Sequence, residues 1–298
     1  MPTNGTTHPA QHAATSPGAV VAHSPPVAYL HYRDDDARYA CKPTAIEAVV
    51  PLIVNGQHWL TVVCTPTGLD YFALGFLYNE GIITGPGDVQ DLQVSAPPAG
   101  RNGEETVIRV ELKDRTAQLP RRRTLTSGCA SGVTFVDLAA TRPPVRSGLR
   151  ISAGEVTRLM ARLLAAAAAD HRQVGGFHTA GLSHGRELQV IATDVGRHNT
   201  LDKIAGECLA RNIPMHHAIL LATGRISVDM LGKAARMQIP VAATINAPTS
   251  LAVELAHQWG ITLIGYVRGL SLHVYSGWER VQAAAPALHV PLPDLTSA

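Results

Sequence analysis

The chain has 298 residues, a length that sets a prior of about two domains. Apolar residues make up 46% and charged residues only 16%, which suits a sizeable core and excludes a body kept disordered by charge repulsion. With 25 Lys and Arg against 23 Asp and Glu, the net charge of +2 leaves no basic excess for a general nucleic-acid binder.

Residues 1–30 are rich in Pro, Ser, Thr, Ala and His and lack a basic start followed by an apolar core, so they read as a flexible tail and not a secretory signal. The longest strictly apolar run, 163–169, is far short of the ~20 residues that span a bilayer, so no membrane segment is expected. Residues 49–54 alternate in hydrophobicity, run into Asn55 and Gly56, and resume an extended, β-branched pattern over 59–64, which predicts a hairpin. A helix is predicted over 71–79, closing at Gly81, with Phe72, Gly75, Phe76 and Asn79 on one face. A strand follows at 107–112. Residues 113–150 read as polar and Pro-rich loops holding RRR at 121–123 and GCASG at 128–132, with a linker near 142–150.

Ser152 and Glu155 have the spacing of a capping box and open an Ala- and Leu-rich helix that runs to about residue 169. From Glu187 onward, strands at 188–193, 218–222, 240–245 and 261–267 alternate with helices at 196–210, 228–237 and 250–259. That alternation predicts βαβ units and a mostly parallel sheet. The chain therefore reads as α/β, with a tail at 1–30, a smaller N-terminal α+β domain at 31–150, a C-terminal α/β domain at 151–283 and a second tail at 284–298.

In an open α/β sheet, ligands bind beyond the carboxyl ends of the strands, beside helix N-termini. Four such ends are visible: DVGRHN at 194–199, TGRIS at 223–227, NAPTS at 246–250 and YVRG at 266–269. Three of them carry an arginine (Arg197, Arg225, Arg268), and the first also holds Asp194 and His198. Gly196, Gly224 and Gly269 permit close backbone approach. The same residue types also end strands and cap helices for structural reasons alone. Four of them on one edge favour a pocket for a phosphate-bearing ligand.

His198 and Asp202 lie four residues apart, as do Asn199 and Lys203, so each pair is expected to share a helix face. Leu201, Ile204, Ala205, Cys208 and Leu209 form an apolar stripe, which makes Cys208 a core thiol, and Cys64 in its strand reads the same way. Cys41 follows three aspartates and stays open. The four cysteines show no C-x-x-C pair and no zinc spacing, so reduced thiols in a cytoplasmic protein without an intrinsic metal are expected. Cys129 sits between glycines, six residues after Arg123; accessibility and cations nearby in sequence would favour a reactive thiolate, but the residues alone favour a tight-turn cysteine slightly over that role.

Together these segments resemble the formate dehydrogenase accessory sulfurtransferase family (FdhD/NarQ) over roughly residues 45–282. The matching stretches are NG at 55–56, TP at 65–66, LGFLYNEGII at 74–83, GGFHTAGL at 175–182, DVGRHNTLDKIAG at 194–206, TGRIS, APTSLAVELA at 247–256 and GITLIGYVRG at 260–269. The resemblance implies a homodimer whose C-terminal domain is a cytidine-deaminase-like α/β sandwich. It implies a sulfur carrier that takes a persulfide from a cysteine desulfurase. The sulfur passes to the molybdenum (or tungsten) bis-guanine-dinucleotide cofactor, bound as substrate, before that cofactor enters the formate dehydrogenase apoenzyme. Cys129 matches the first cysteine of the family's C-x-x-C loop and is expected to carry the persulfide; here the loop has that cysteine alone. The family's cofactor-contacting stretch falls on Tyr266, Val267, Arg268, Gly269, Leu270 and Ser271, with Leu270 or Ser271 where a basic residue is usual. An escort that binds the cofactor without handling sulfur is the second expectation. A zinc nucleobase deaminase is excluded, because residues 178–180 lack the glutamate of H-x-E and no cysteine pair exists.

Overall fold

The structure, a computed structural model, describes residues 24–95, 106–120, 124–125, 133–134 and 143–282. Its first element is a hairpin of β1 (Val27–Arg33) and β2 (Asp36–Lys42), so residues 27–30 of the expected tail are paired strand. β3 (Ala48–Val54) and β4 (Gln57–Cys64) form the expected hairpin. Its turn residues Asn55 and Gly56 both have positive φ, 50° and 74°, a conformation that Asn-Gly adopts at little cost. α1 (Leu69–Asn79) starts two residues before the predicted helix. β5 (Val89–Ser95) and β6 (Val107–Leu112) complete a four-stranded sheet in the order β4-β3-β6-β5. Alternating Val50, Leu52 and Val54 of β3 and Ile108, Val110 and Leu112 of β6 meet Phe72, Phe76 and Leu77 of α1 in one core.

Two short strands, β7 (Thr124–Leu125) and β8 (Val133–Thr134), pair with each other, and β9 (Ile151–Ser152) pairs with the last strand, β16 (Val281–Gln282). α2 (Ala153–Gln173) carries the predicted capping box. The Glu155 N–H donates to Ser152 Oγ at 3.2 Å, and the Ser152 N–H donates to Glu155 Oε2 at 2.8 Å. Then follow β10 (His178–Ser183), β11 (Leu188–Asp194), α3 (Arg197–Ala210), β12 (Ile219–Ala222), α4 (Val228–Arg236), β13 (Val241–Thr244), α5 (Ser250–Gln258), β14 (Thr262–Arg268) and β15 (Ser271–Val274).

These strands form a six-stranded sheet in the order β11-β10-β12-β13-β14-β15. It is mixed and not mostly parallel, because β10 lies antiparallel between β11 and β12, and β15 folds back antiparallel on β14. β10 gives little strand signal in the sequence, since Thr179, Ala180 and Gly181 supply small side chains where β-branched or large apolar ones mark a strand. Two antiparallel steps cancel, so β11, β12, β13 and β14 still point the same way and their carboxyl ends share one edge. The sheet is covered on both faces. Leu220 and Ala222 of β12 point to the face packed by α3, α4 and α5, and Ile219 and Leu221 to the face packed by α2. The molecule is α/β, as the sequence predicts.

α1 joins the two parts by crossing α3 at Gly75 and Gly206. A Cβ on Gly75 would stand 1.8 Å from the Asp202 carbonyl oxygen, and one on Gly206 would stand 1.8 Å from that of Tyr71. The backbones therefore touch, and only glycine fits. The segment read as a linker is strapped down at buried Val145, whose N–H donates to the Trp259 carbonyl at 2.8 Å.

Candidate functional site

The four predicted loops meet at the shared edge of the sheet, and the last three of them are tied to one another. Asn246 Nδ2 donates to the Thr223 carbonyl at 2.6 Å, Thr244 Oγ1 to that of Gly224 at 2.6 Å, and the Thr179 N–H to Thr223 Oγ1 at 3.0 Å. The Tyr266 N–H reaches the Asn246 carbonyl at 3.0 Å, and Ile226 and Pro248 form a parallel bridge between two of the loops. Loops cross-linked by their own polar groups keep a fixed shape without a ligand, which is what a preorganised site needs.

The three arginines are not equivalent. Arg225 and Arg268 are exposed. Arg268 donates from Nε to the Ile245 carbonyl at 3.1 Å, and its guanidinium lies 5.6 Å from the Tyr266 ring centroid. Arg197 is buried, and its stem lies so close under Gly224 that a Cβ there would meet Arg197 Cβ at 3.2 Å and Cδ at 3.3 Å. It supports the TGRIS loop from beneath. A break in the β14–β15 register between Gly265 and Arg268 turns Tyr266 outward at φ 51°, left-handed backbone that is unusual for an aromatic residue. Tyr266, Arg268, Gly269, Leu270 and Ser271 face solvent, while Val267 is buried. His178, at the start of β10, is half-buried beside Gly224. Burial first, and then the nearby Arg197 guanidinium, hold its imidazole below the usual histidine range, so it is neutral at pH 7.

Under this edge lies a sealed layer of charges. Asp194 accepts from the Gly196 N–H (2.7 Å) and Asn199 Nδ2 (2.9 Å) on one oxygen, and from the Thr65 N–H (3.1 Å) and Lys203 Nζ (2.6 Å) on the other. Both oxygens are thus engaged by the chain's own donors, and the carboxylate fastens the end of β4 to the start of α3. Asn199 and Lys203 share a face as predicted, and Asp194 is their common acceptor.

The predicted His198–Asp202 pair does not form. His198 Nε2 pairs with Asp229 of α4, which also accepts from Ser227 Oγ, and Asp202 accepts from Lys233 Nζ (2.6 Å) and Asn79 Nδ2 (2.8 Å). The reason is tertiary. Asp229 and Lys233 are also four apart, so α4 offers two rungs that match the two on α3, and buried partners outcompete a neighbour on the same helix. Asp229 and Lys233 were not among the expected residues, and their matched spacing is the signal that would have shown them; Thr65, Asn79 and His178 lie in stretches the sequence singles out, but nothing in it gives them these roles.

The thiols separate cleanly. Cys64 and Cys208 are fully buried, and burial first, then the nearby carboxylates Asp194 and Glu207 respectively, pushes each thiol up to about 12, so neither is a nucleophile at neutral pH. Cys41 is exposed on β2. Cys129 and Arg121, Arg122 and Arg123 lie outside the described residues. Among the described residues, no group of three or more His, Cys, Asp or Glu is placed to hold a metal ion, and no helix is long and apolar enough to cross a membrane.

Fold and site together define an α/β protein with an open, arginine-bearing edge above a closed ionic layer. The FdhD/NarQ family model matches residues 45–282, and the chain belongs to that family. Among its relatives, the sulfur carrier protein FdhD of Geobacillus kaustophilus is 34% identical over 242 residues, covering 80% of this chain and 89% of the relative. The protein of the same description from Staphylococcus haemolyticus is 35% identical over 232 residues, covering 77% and 86%. The crystal structure of a protein assigned as a formate dehydrogenase accessory protein from Desulfotalea psychrophila shares the fold, with a TM-score of 0.70 at 24% identity, over 88% of this chain and 100% of that one.

Proposed function

We propose that this protein is a sulfurtransferase of formate dehydrogenase maturation, a sulfur carrier that loads at Cys129 and delivers to a molybdenum bis-guanine-dinucleotide cofactor bound as substrate. The observation that carries the reading is family membership across residues 45–282, among relatives described as sulfur carrier proteins. In loading, the Cys129 thiolate attacks the outer sulfur of a cysteine desulfurase persulfide. A new S–S bond forms at Cys129, the donor's S–S bond breaks, and the donor cysteine leaves as thiolate. The closure of Cys64 and Cys208 supports Cys129 as the carrier.

The exposed edge suits the other half of the task. Arg225 and Arg268 offer planar donor forks to a pyrophosphate, and Tyr266 offers an aromatic face to a guanine base. Gly269, Leu270 and Ser271 continue the same contact stretch. Arg197, His198 and Asp194 act from beneath, holding the loops that carry these groups. The formate dehydrogenase apoenzyme is the recipient, and the carrier acts as a homodimer in the cytoplasm, with no resident metal.

Incubation with a cysteine desulfurase and cysteine, followed by intact-protein mass and peptide mapping, tests the loading step. One reductant-labile sulfur on the Cys129 peptide is expected. Sulfur on the Cys41, Cys64 or Cys208 peptide, or none at all, contradicts it. A second reading, escort of the cofactor without sulfur chemistry, is favoured by one observation, the single cysteine in the GCASG loop.

A further inference from the structure

A cavity of about 510 Å³ lies where the first turn of α1, the end of β5 and the C-terminus of α3 converge. α3 starts at the ligand edge with Arg197 and reaches this cavity with Ala210, about 20 Å further along its axis. Leu69 and Leu74 of α1 and Leu92 of β5 wall the cavity, and Gly68, Val94 and Ala210 are exposed at its mouth. Gly68 and Ala210 carry too little side chain to close it. Apolar cavities of this size hold small organic molecules.

The charge around it is predominantly negative. Asp70 lines the cavity, and its carboxylate has no ion pair and no hydrogen bond among the described residues. Glu207, a turn before the end of α3, pairs with Arg211, so that guanidinium is already engaged. Burial first, then the carboxylates of Glu207 and Asp70, push the Tyr71 phenol up; burial first, with Asp70 adding to it, pushes Glu207 up. α3 also ends here with no basic residue in its last turn, so the negative end of its dipole is uncompensated within that turn. The positive end of α1 favours the ionised form of Asp70 and leaves its oxygens open to a donor.

We propose that this cavity binds a small organic cation, an amine carried on an apolar body, with the ammonium at Asp70 and the body against Leu74, Leu92 and Val94. An anion would meet Asp70 and Glu207. A neutral apolar molecule would strip water from Asp70 and return no hydrogen bond. Val94, 37% exposed, is the one large apolar residue exposed at the mouth, so the cavity lacks the apolar surround of a protein interface. The site is separate from the ligand edge and does not depend on the function proposed above.

Calorimetry of the full chain with three indoles of nearly one shape tests this: tryptamine, tryptophol and indole-3-propionate, which end in an ammonium, a hydroxyl and a carboxylate. Tryptamine should bind saturably and about tenfold or more tighter than tryptophol, as one charge-assisted contact requires, and indole-3-propionate should bind weakest. Asp70→Asn should weaken tryptamine to the level of tryptophol and leave tryptophol unchanged. Val94→Trp and Ala210→Trp plug the mouth from β5 and from α3, and either should abolish tryptamine binding at an unchanged melting temperature. Absence of saturable tryptamine binding overturns the proposal. Tryptamine no tighter than tryptophol, or indifferent to Asp70→Asn, overturns the cation, and binding that survives both plugs overturns the site.

Discussion

Replacing Asp194 with alanine should cost a large share of the protein's stability while leaving its ligand edge chemically intact. The carboxylate is fully buried and accepts four hydrogen bonds, from the Gly196 and Thr65 amides, Asn199 Nδ2 and Lys203 Nζ. Without it, the buried Lys203 ammonium keeps, among the described residues, only the Thr65 carbonyl, at 3.0 Å. Removing one member of a buried ion pair typically costs about 3–5 kcal/mol, because the survivor is left uncompensated. Against a total stability of roughly 5–15 kcal/mol, that loss is readily measured by urea unfolding. Lys203→Met should be similarly damaging, and the double variant should cost less than the sum by about 1–3 kcal/mol, since no charge is then stranded. Guanosine diphosphate affinity of the folded fraction should stay within about threefold of wild type, a change under ~1 kcal/mol. An Asp194→Ala protein within about 1 kcal/mol of wild type would refute the reasoning. So would one that is fully folded yet no longer binds the nucleotide, because Asp194 would then be a ligand group and not a fastening.

Gly75→Ala and Gly206→Ala should each destabilise by about 2–3 kcal/mol in urea, despite alanine's better helix propensity, because the added methyl meets backbone on the facing helix. Gly154→Ala, whose methyl meets only the end of the Arg158 side chain, should stay within about 0.5 kcal/mol of wild type. The thiols of Cys64 and Cys208 are raised from 9.0 to about 12 in the folded state, so their contribution is intact below pH 9 and is lost as pH rises toward 12. Stability should fall there by up to about 1.4 kcal/mol per pH unit per thiol, and Cys208→Ala should flatten that slope in pH-dependent unfolding. Calorimetry with guanosine diphosphate should show Arg225→Ala and Arg268→Ala ten- to a hundredfold weaker, from the loss of about 1.5–3 kcal/mol per charged contact, at unchanged melting temperature. Arg197→Ala should lower the melting temperature instead.

Much of the fold was legible because its signals are local. Asn55 and Gly56 fix a turn by backbone preference alone, and Ser152 with Glu155 caps a helix within one turn. The four strand ends that carry Asp194, Thr223, Asn246 and Tyr266 could be placed on one edge because strand and helix alternate. What sequence could not supply is partner choice across the core. Thr179, Ala180 and Gly181 make β10 a strand only because β11 and β12 flank it, and its insertion converts the expected parallel order into a mixed one. Arg197 reads like Arg225 and Arg268, yet it lies beneath Gly224 and not beside them. His198 and Asp202 are neighbours by helical spacing, but α4 brings Asp229 and Lys233 into competition, and the buried cross-helix pairs win. The β1–β2 hairpin was not expected because residues 27–30 directly follow the Pro-, Ser- and Ala-rich stretch and read with it as tail.

The central claim is that Cys129 carries the sulfur that formate dehydrogenase needs. The most direct measurement is activation of formate dehydrogenase in a strain lacking this protein, complemented with Cys129→Ser that has been shown by calorimetry to bind guanosine diphosphate like the wild type. Sulfur carriage predicts no active enzyme, with activity returning only when the cysteine is restored. Full activation by the serine variant would contradict it and leave the cofactor escort as the function.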